Sequence, residues 1–156
     1  MHTLKRVQHL SADIHTVWDF MKRPENLDRI TPSWLGFAIV SEVPAAMRDG
    51  LLVSYRIRLP FLGAQSWVTE IKHIHAPHQF VDEQRLGPYR FWYHHHGFRP
   101  FRDGTEMVDT VSYLLPFGPL GQLTHRLIIQ KVLEAIFAYR FKALDQIFNT
   151  RPKTPC

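Results

Sequence analysis

Between Val53 and Leu59 the chain alternates: Val53, Tyr55, Ile57 and Leu59 are apolar, while Ser54, Arg56 and Arg58 are polar. A period of two with one apolar face predicts a half-buried strand. Trp67, Thr69, Ile71 and His73 alternate with Val68, Glu70 and Lys72, and residues 60–66 read as a turn, so the two segments predict a hairpin. Three more strands are expected over about 79–86, 89–98 and 105–114, with turns at Leu86-Gly87-Pro88-Tyr89 and Asp103-Gly104. Upstream, residues 2–10 predict a first strand of poor alternation. Ser11 reads as the N-cap of a short helix over about 12–21, with Asp13 in its first turn and Pro24 stopping it. Residues 25–30 predict a second short helix, ended by Thr31-Pro32, and residues 34–43 a strand closed by Pro44 and Asp49-Gly50.

After Pro116, Gly118 and Pro119 a helical pattern runs over about 120–148, roughly 40 Å at the rise of an α-helix. Ile129, Leu133, Ile136, Leu144 and Ile147 fall on one stripe, flanked by Phe137 and Phe148. Lys131, Glu134, Lys142 and Asp145 gather opposite, facing water. Arg140 breaks the pattern from the middle of the apolar stripe, and Arg126 lies in a similar direction near the helix start. An ionised arginine in a dry core is costly without a partner. Arg140 therefore either reaches solvent or a structural carboxylate, or anchors the acidic group of a ligand. Consecutive hairpins give an antiparallel sheet, and the last helix is the only element long enough to cover its apolar face. The expected class is α+β: a curved antiparallel sheet of about seven strands wrapped round a long C-terminal helix, with two short helices after the first strand.

His94-His95-His96 lies in one of these strands, so His94 and His96 share a face and His95 does not. A turn over 86–90 sets His94 opposite Asp82, His96 opposite Phe80 and Trp92 opposite Gln84. A turn over 98–105 sets His94 opposite Asp109 and His96 opposite Met107. Asp82, His94 and Asp109 then form a row across three strands, with neighbours about 5 Å apart. The row reads as a polar cluster that fixes strand register, as a polar group in a cavity wall, or as an acid–base or metal site. Two histidines on one face, without HExxH or CxxC spacing, give no metal motif, and neither a metal nor a cofactor is expected. Tyr55, Trp67, Phe80, Trp92, Phe98, Met107 and Tyr113 are placed on the inner face, as core or as pocket lining.

The length of 156 residues fits one domain over 1–150 with a loose tail over 151–156. Aromatic residues reach 13%, enough both to fill a core and to line a pocket. The net charge of +5 is scattered, which argues against a nucleic-acid partner. Cys156 is the single cysteine, so no internal disulfide forms. Met1 to Arg6 leads into no apolar signal segment, and no apolar run reaches the roughly 18 residues of a membrane helix, so a cytoplasmic location is expected. Phosphate loops of the GxGxxG or GxxxxGK[ST] type are absent, and no serine stands in a nucleophile elbow.

Asn26-Leu27 through Thr31-Pro32, Trp34-Leu35 and Phe37 resemble the opening of the SRPBCC, or START-like, superfamily of polyketide cyclase/dehydrase and pollen-allergen-like proteins. Phe80 to Gln84, Gly87-Pro88-Tyr89, Trp92-x-His94-x-His96-x-Phe98, Asp103-Gly104-Thr105, and Asp109-x-Val111-x-Tyr113 before Leu115-Pro116-Phe117-Gly118 resemble its central strands. The resemblance implies a helix-grip fold with a cavity between sheet and helix. It implies an apolar or amphipathic small-molecule ligand, lipid-like or aromatic and acidic if Arg140 anchors it. Tyr55, Trp67, Phe80, Trp92, His96, Phe98, Met107, Tyr113, Leu133, Ile136 and Arg140 are then expected to line the site. Relatives share no universal catalytic motif, so no catalytic residue carries over. The alternatives are an enzyme of cyclase, dehydratase or hydrolase type and a regulatory domain that binds a partner protein. The enzyme would use His94 with Asp82 or Asp109 as base and Arg140 as clamp. For the regulatory reading, SRPBCC-like domains do occur joined to nucleotide-sugar epimerase-like domains.

Overall fold

The alternation at Val53–Leu59 is realised as a strand whose odd-numbered residues are all buried, Leu51 included. The computed structural model describes residues 1–44, 47–59, 63–116 and 128–150. Part of the expected 60–66 turn, the first eight positions of the expected long helix with Arg126, and the 151–156 tail with Cys156 lie outside the described residues. Seven strands are described: β1 (His2–Leu10), β2 (Ala38–Ile39), β3 (Leu51–Leu59), β4 (Gly63–His75), β5 (Gln79–Leu86), β6 (Phe91–Phe101) and β7 (Gly104–Leu114). They form one curved antiparallel sheet in the order β1-β7-β6-β5-β4-β3-β2. Helix α1 (Ile14–Met21) and two short 3₁₀ turns, Pro24–Ile30 and Ser33–Leu35, follow β1, and helix α2 (Gln130–Phe148) ends the domain. The expected α+β helix-grip arrangement is therefore present.

Three local expectations are corrected. Helix α1 is capped by Asp13, not Ser11: its carboxylate accepts from the backbone of His15 at 2.9 Å and of Thr16 at 3.1 Å. Both residue types cap well, but the Ser11 backbone N–H is bound to Asn149 Oδ1 at 2.7 Å and the helix starts later. The strand expected over 34–43 shrinks to the two residues of β2. Trp34 is taken into the 3₁₀ turn, and Gly36 ends that turn in the left-handed conformation, φ 53°.

The third correction concerns the β6–β7 register. These strands continue to Phe101 and Gly104, which pair, leaving only Arg102 and Asp103 as the turn. Arg102 accepts a positive φ of 55° to make it. Gly104 is required there, because a Cβ at this position would stand 2.1 Å from the Leu10 carbonyl oxygen. Relative to the longer turn expected, the ladder shifts by two residues: His94 faces Val111, His96 faces Asp109 and Phe98 faces Met107. On the other side His94 faces Asp82 and His96 faces Phe80, as expected. That ladder ends at Glu83 and Tyr93, so Gln84 does not pair with Trp92 but bonds the Tyr89 carbonyl at 2.7 Å.

Helix α2 has 19 residues, about 28 Å. It buries Leu133, Phe137, Arg140, Ala143 and Leu144, and exposes Lys131, Glu134, Lys142 and Asp145 as its periodicity predicts. Two apolar clusters hold it. One contains Trp18 edge-on to Phe80 and Phe98, with Met107 and Leu144. The other contains Trp92, Val111, Tyr113, Leu133 and Phe137. No helix among the described residues is long and apolar enough to cross a membrane.

Candidate functional site

Strands β5, β6 and β7 carry Asp82, His94, His96 and Asp109 on one face, and the two-residue register shift preserves that face while changing the partners. Each imidazole now lies between both carboxylates. His94 Nδ1 is 3.2 Å from Asp82 Oδ2, and its Nε2 is 3.3 Å from Asp109 Oδ1. His96 Nε2 is 2.9 Å from Asp82 Oδ2, and its Nδ1 is 2.8 Å from Asp109 Oδ1. Only two of these four contacts are aligned hydrogen bonds: His94 to Asp109 and His96 to Asp82. His96 Nδ1, despite its short distance to Asp109, makes no aligned hydrogen bond among the described residues. The two rings stand 3.8 Å apart, His96 stacks on Phe80 at 4.3 Å, and Trp92 Nε1 donates to Asp82 Oδ1 at 3.2 Å.

Burial opposes the charges of Asp82, Asp109 and His94, but proximity outweighs it. His94 and His96 hold the carboxyls of Asp82 and Asp109 well below the usual carboxylate range against their desolvation. Burial pushes His94 down, yet Asp82 and Asp109 together raise it above the ordinary histidine value.

Beside this cluster a recess of about 130 Å³ opens between α2 and strands β3 to β6. Leu133, Ile136, Phe137 and Arg140 form its helical wall, and Tyr55, Ile57, Leu59, Trp67, Thr69, Asp82, Trp92 and His94 its sheet wall. Leu27, Thr31, Leu35, Phe37 and Tyr89 complete its lining. Of the residues singled out from sequence, Tyr55, Trp67, Asp82, Trp92, His94, Leu133, Ile136 and Arg140 meet in this recess. Phe80 and His96 line a smaller neighbour of about 40 Å³ beneath α1. Met107 and Asp109 lie behind Arg140, Phe98 packs on Trp18, and Tyr113 borders a separate recess near His2 and Glu134. Thr69 and Tyr89 were not anticipated. Tyr89 sits in a turn, where no periodicity tells a side chain's direction. Leu27, Thr31, Leu35 and Phe37 lie within the opening motif that carried the family resemblance, which was the available signal.

Arg140 is 9% exposed, and its Nε and Nη1 have no hydrogen-bond partner among the described residues. Its guanidinium lies 5.3 Å over the Phe137 ring. A cation–π contact offsets part of the desolvation cost, but it leaves N–H donors unused. Across the recess, burial pushes the Tyr55 phenol upward, with Asp82 adding to the shift and Arg140 opposing it.

No family model matches the chain, and no curated protein sequence matches it. Solved structures share its fold. A protein of Thermus thermophilus superposes with a TM-score of 0.71 at 18% identity, over 93% of this chain and 95% of that one. A START superfamily protein of Mycobacterium smegmatis gives 0.64 at 12% identity, over 94% and 99%. A nucleoside-diphosphate sugar epimerase of Corynebacterium glutamicum gives 0.67 at 23% identity, over 92% of this chain but 28% of that chain. These likenesses bear out the START-like fold that the sequence motifs implied.

Proposed function

We propose that this protein binds an apolar or amphipathic small molecule, aromatic or lipid-like in body and acidic at one end, in the recess between the sheet and α2. The observation that carries this reading is Arg140: a buried guanidinium with donors unused among the described residues, in a recess whose mostly apolar lining includes Trp67, Trp92, Leu133 and Ile136 and whose polar groups include Asp82 and His94. A carboxylate or phosphate supplies the missing acceptors, and charge-assisted hydrogen bonds of this type contribute about 1.5–3 kcal/mol. The recess is comparable to an engineered apolar cavity of about 150 Å³ that accepts benzene, and it is open on one side, so one ring of a small aromatic acid lies inside while the rest extends to the mouth. The START-like fold of its structural neighbours is compatible with such a site.

The cluster favours binding over acid–base chemistry. Both ring nitrogens of His94 face carboxylate oxygens, at 3.2 and 3.3 Å, so the ring is held within the wall and neither nitrogen is turned towards a substrate proton. Native mass spectrometry of the purified protein, followed by titration with naphthoate, tests the reading. Naphthoate is expected to bind, and Ile136→Trp, which fills the recess, is expected to abolish binding without unfolding the domain. Unchanged binding in a folded Ile136→Trp variant rejects this location, and no binding of any apolar acid rejects the function.

A further inference from the structure

The geometry points to a second site: a mononuclear binding site for a divalent first-row transition metal, of the zinc or ferrous class, held by His94, His96 and Asp82. One ligand atom each of Asp82, His94 and His96 lie within 4.8 Å of one another, and His94 Nδ1 and His96 Nε2 are 3.2 and 2.9 Å from the shared Asp82 Oδ2. Two donors each about 2.1 Å from one ion and about 90–110° apart stand roughly 3.0–3.4 Å from each other, so these spacings are those of neighbours in one coordination shell. Two imidazoles and one carboxylate, with no sulfur, are an N/O set suited to zinc or ferrous iron.

The surroundings are those that support metal ligands. Asp109 Oδ1 lies 3.3 Å from His94 Nε2 and 2.8 Å from His96 Nδ1, the nitrogens on the far side of each ring. The hydrogen bond from Asp109 to the remote nitrogen of His94 fixes that ring and raises its basicity as a ligand. Trp92 Nε1 holds the other oxygen of Asp82 in the same way. The ion belongs on the Asp82 side, because Asp82 keeps 20% exposure against 6% for Asp109, and because Asp82 and His94 line the recess beside α2.

One divalent cation at this vertex balances the charges of Asp82 and Asp109 at a single point, with each imidazole bound through an unprotonated nitrogen. The inference stands apart from the ligand reading, since it needs no organic molecule.

The test is titration of chelator-treated full-length protein with Zn²⁺ and with Co²⁺. The expected result is uptake of one ion per chain and a Co²⁺ visible spectrum of nitrogen and oxygen ligation, both unchanged in Cys156→Ser. Asp82→Asn is expected to weaken Zn²⁺ roughly 100-fold, and Asp109→Asn, which alters only positioning, by about 10–100-fold. Should these buried variants fail to fold, imidazole nitrogen NMR of the unaltered protein decides: two of its ten histidines shift on Zn²⁺ addition. Sub-stoichiometric uptake, undiminished affinity in folded Asp82→Asn, or shifts confined to exposed histidines overturns the inference.

Discussion

His96 and Asp109 face each other across the β6–β7 ladder, with Nδ1 of the ring 2.8 Å from Oδ1 of the carboxylate. That pairing turns a row of three residues into a closed group of four, because it brings a second imidazole between the two acids. Everything distinctive about the inner face follows from it: two carboxylates depressed, one histidine raised, and a shared vertex at Asp82 beside the recess.

Metal-free protein is expected to be most stable in mildly acidic solution. Asp82 and Asp109 have folded values below their unfolded ones, so their contribution is present above about pH 4 and is lost as the pH falls through the lowered values. His94 has a folded value above its unfolded one, so its contribution is complete below about pH 6.5 and is lost as the pH rises through the raised value. Thermal unfolding of chelator-treated protein between mildly acidic and mildly alkaline pH checks this. A melting temperature that stays level or rises on the alkaline side contradicts it.

Replacing Arg140 separates stability from binding. Arg140→Leu removes a buried cation with unused donors, so stability is expected to hold or to increase by about 1–2 kcal/mol. Affinity for naphthoate is expected to fall roughly 10–100-fold, while naphthamide, which carries no charge, is unaffected. Denaturant midpoints and calorimetric titration measure both. A loss of several kcal/mol in stability assigns Arg140 a structural role instead.

The α1 cap distinguishes two candidate residues. Asp13→Ala is expected to cost about 1 kcal/mol, since the carboxylate serves two backbone N–H groups and the Thr16 hydroxyl. Ser11→Ala leaves its backbone bond to Asn149 intact and should change stability by no more than about 0.5 kcal/mol. Equal costs in urea unfolding would place the cap elsewhere.

Much of this structure is legible in the sequence. Val53, Tyr55, Ile57 and Leu59 alternate so cleanly that their strand and its buried face follow from spacing alone. Arg140 stood out because a 3.6-residue period leaves it no exposed direction. Asp82 and His94 were paired correctly, since the turn between β5 and β6 is well marked. The partner of Asp109 was not, because register depends on turn length, and nothing in Arg99-Pro100-Phe101 signals that the strand continues through a proline. Parity rescued the placement: a shift of two residues keeps every side chain on its face. Which aromatic residues line the recess and which fill the core could not be read, because Phe80, Phe98 and Tyr55 share one pattern and differ only in what α1 and α2 press against them.

Intermolecular NOEs between bound naphthoate and the protein test the ligand site most directly. Ring protons of the ligand are expected to contact Trp67, Trp92 and Ile136, with its carboxylate end nearest Arg140. Contacts only to exposed apolar residues such as Trp34 and Val40, or none at all, would contradict the site.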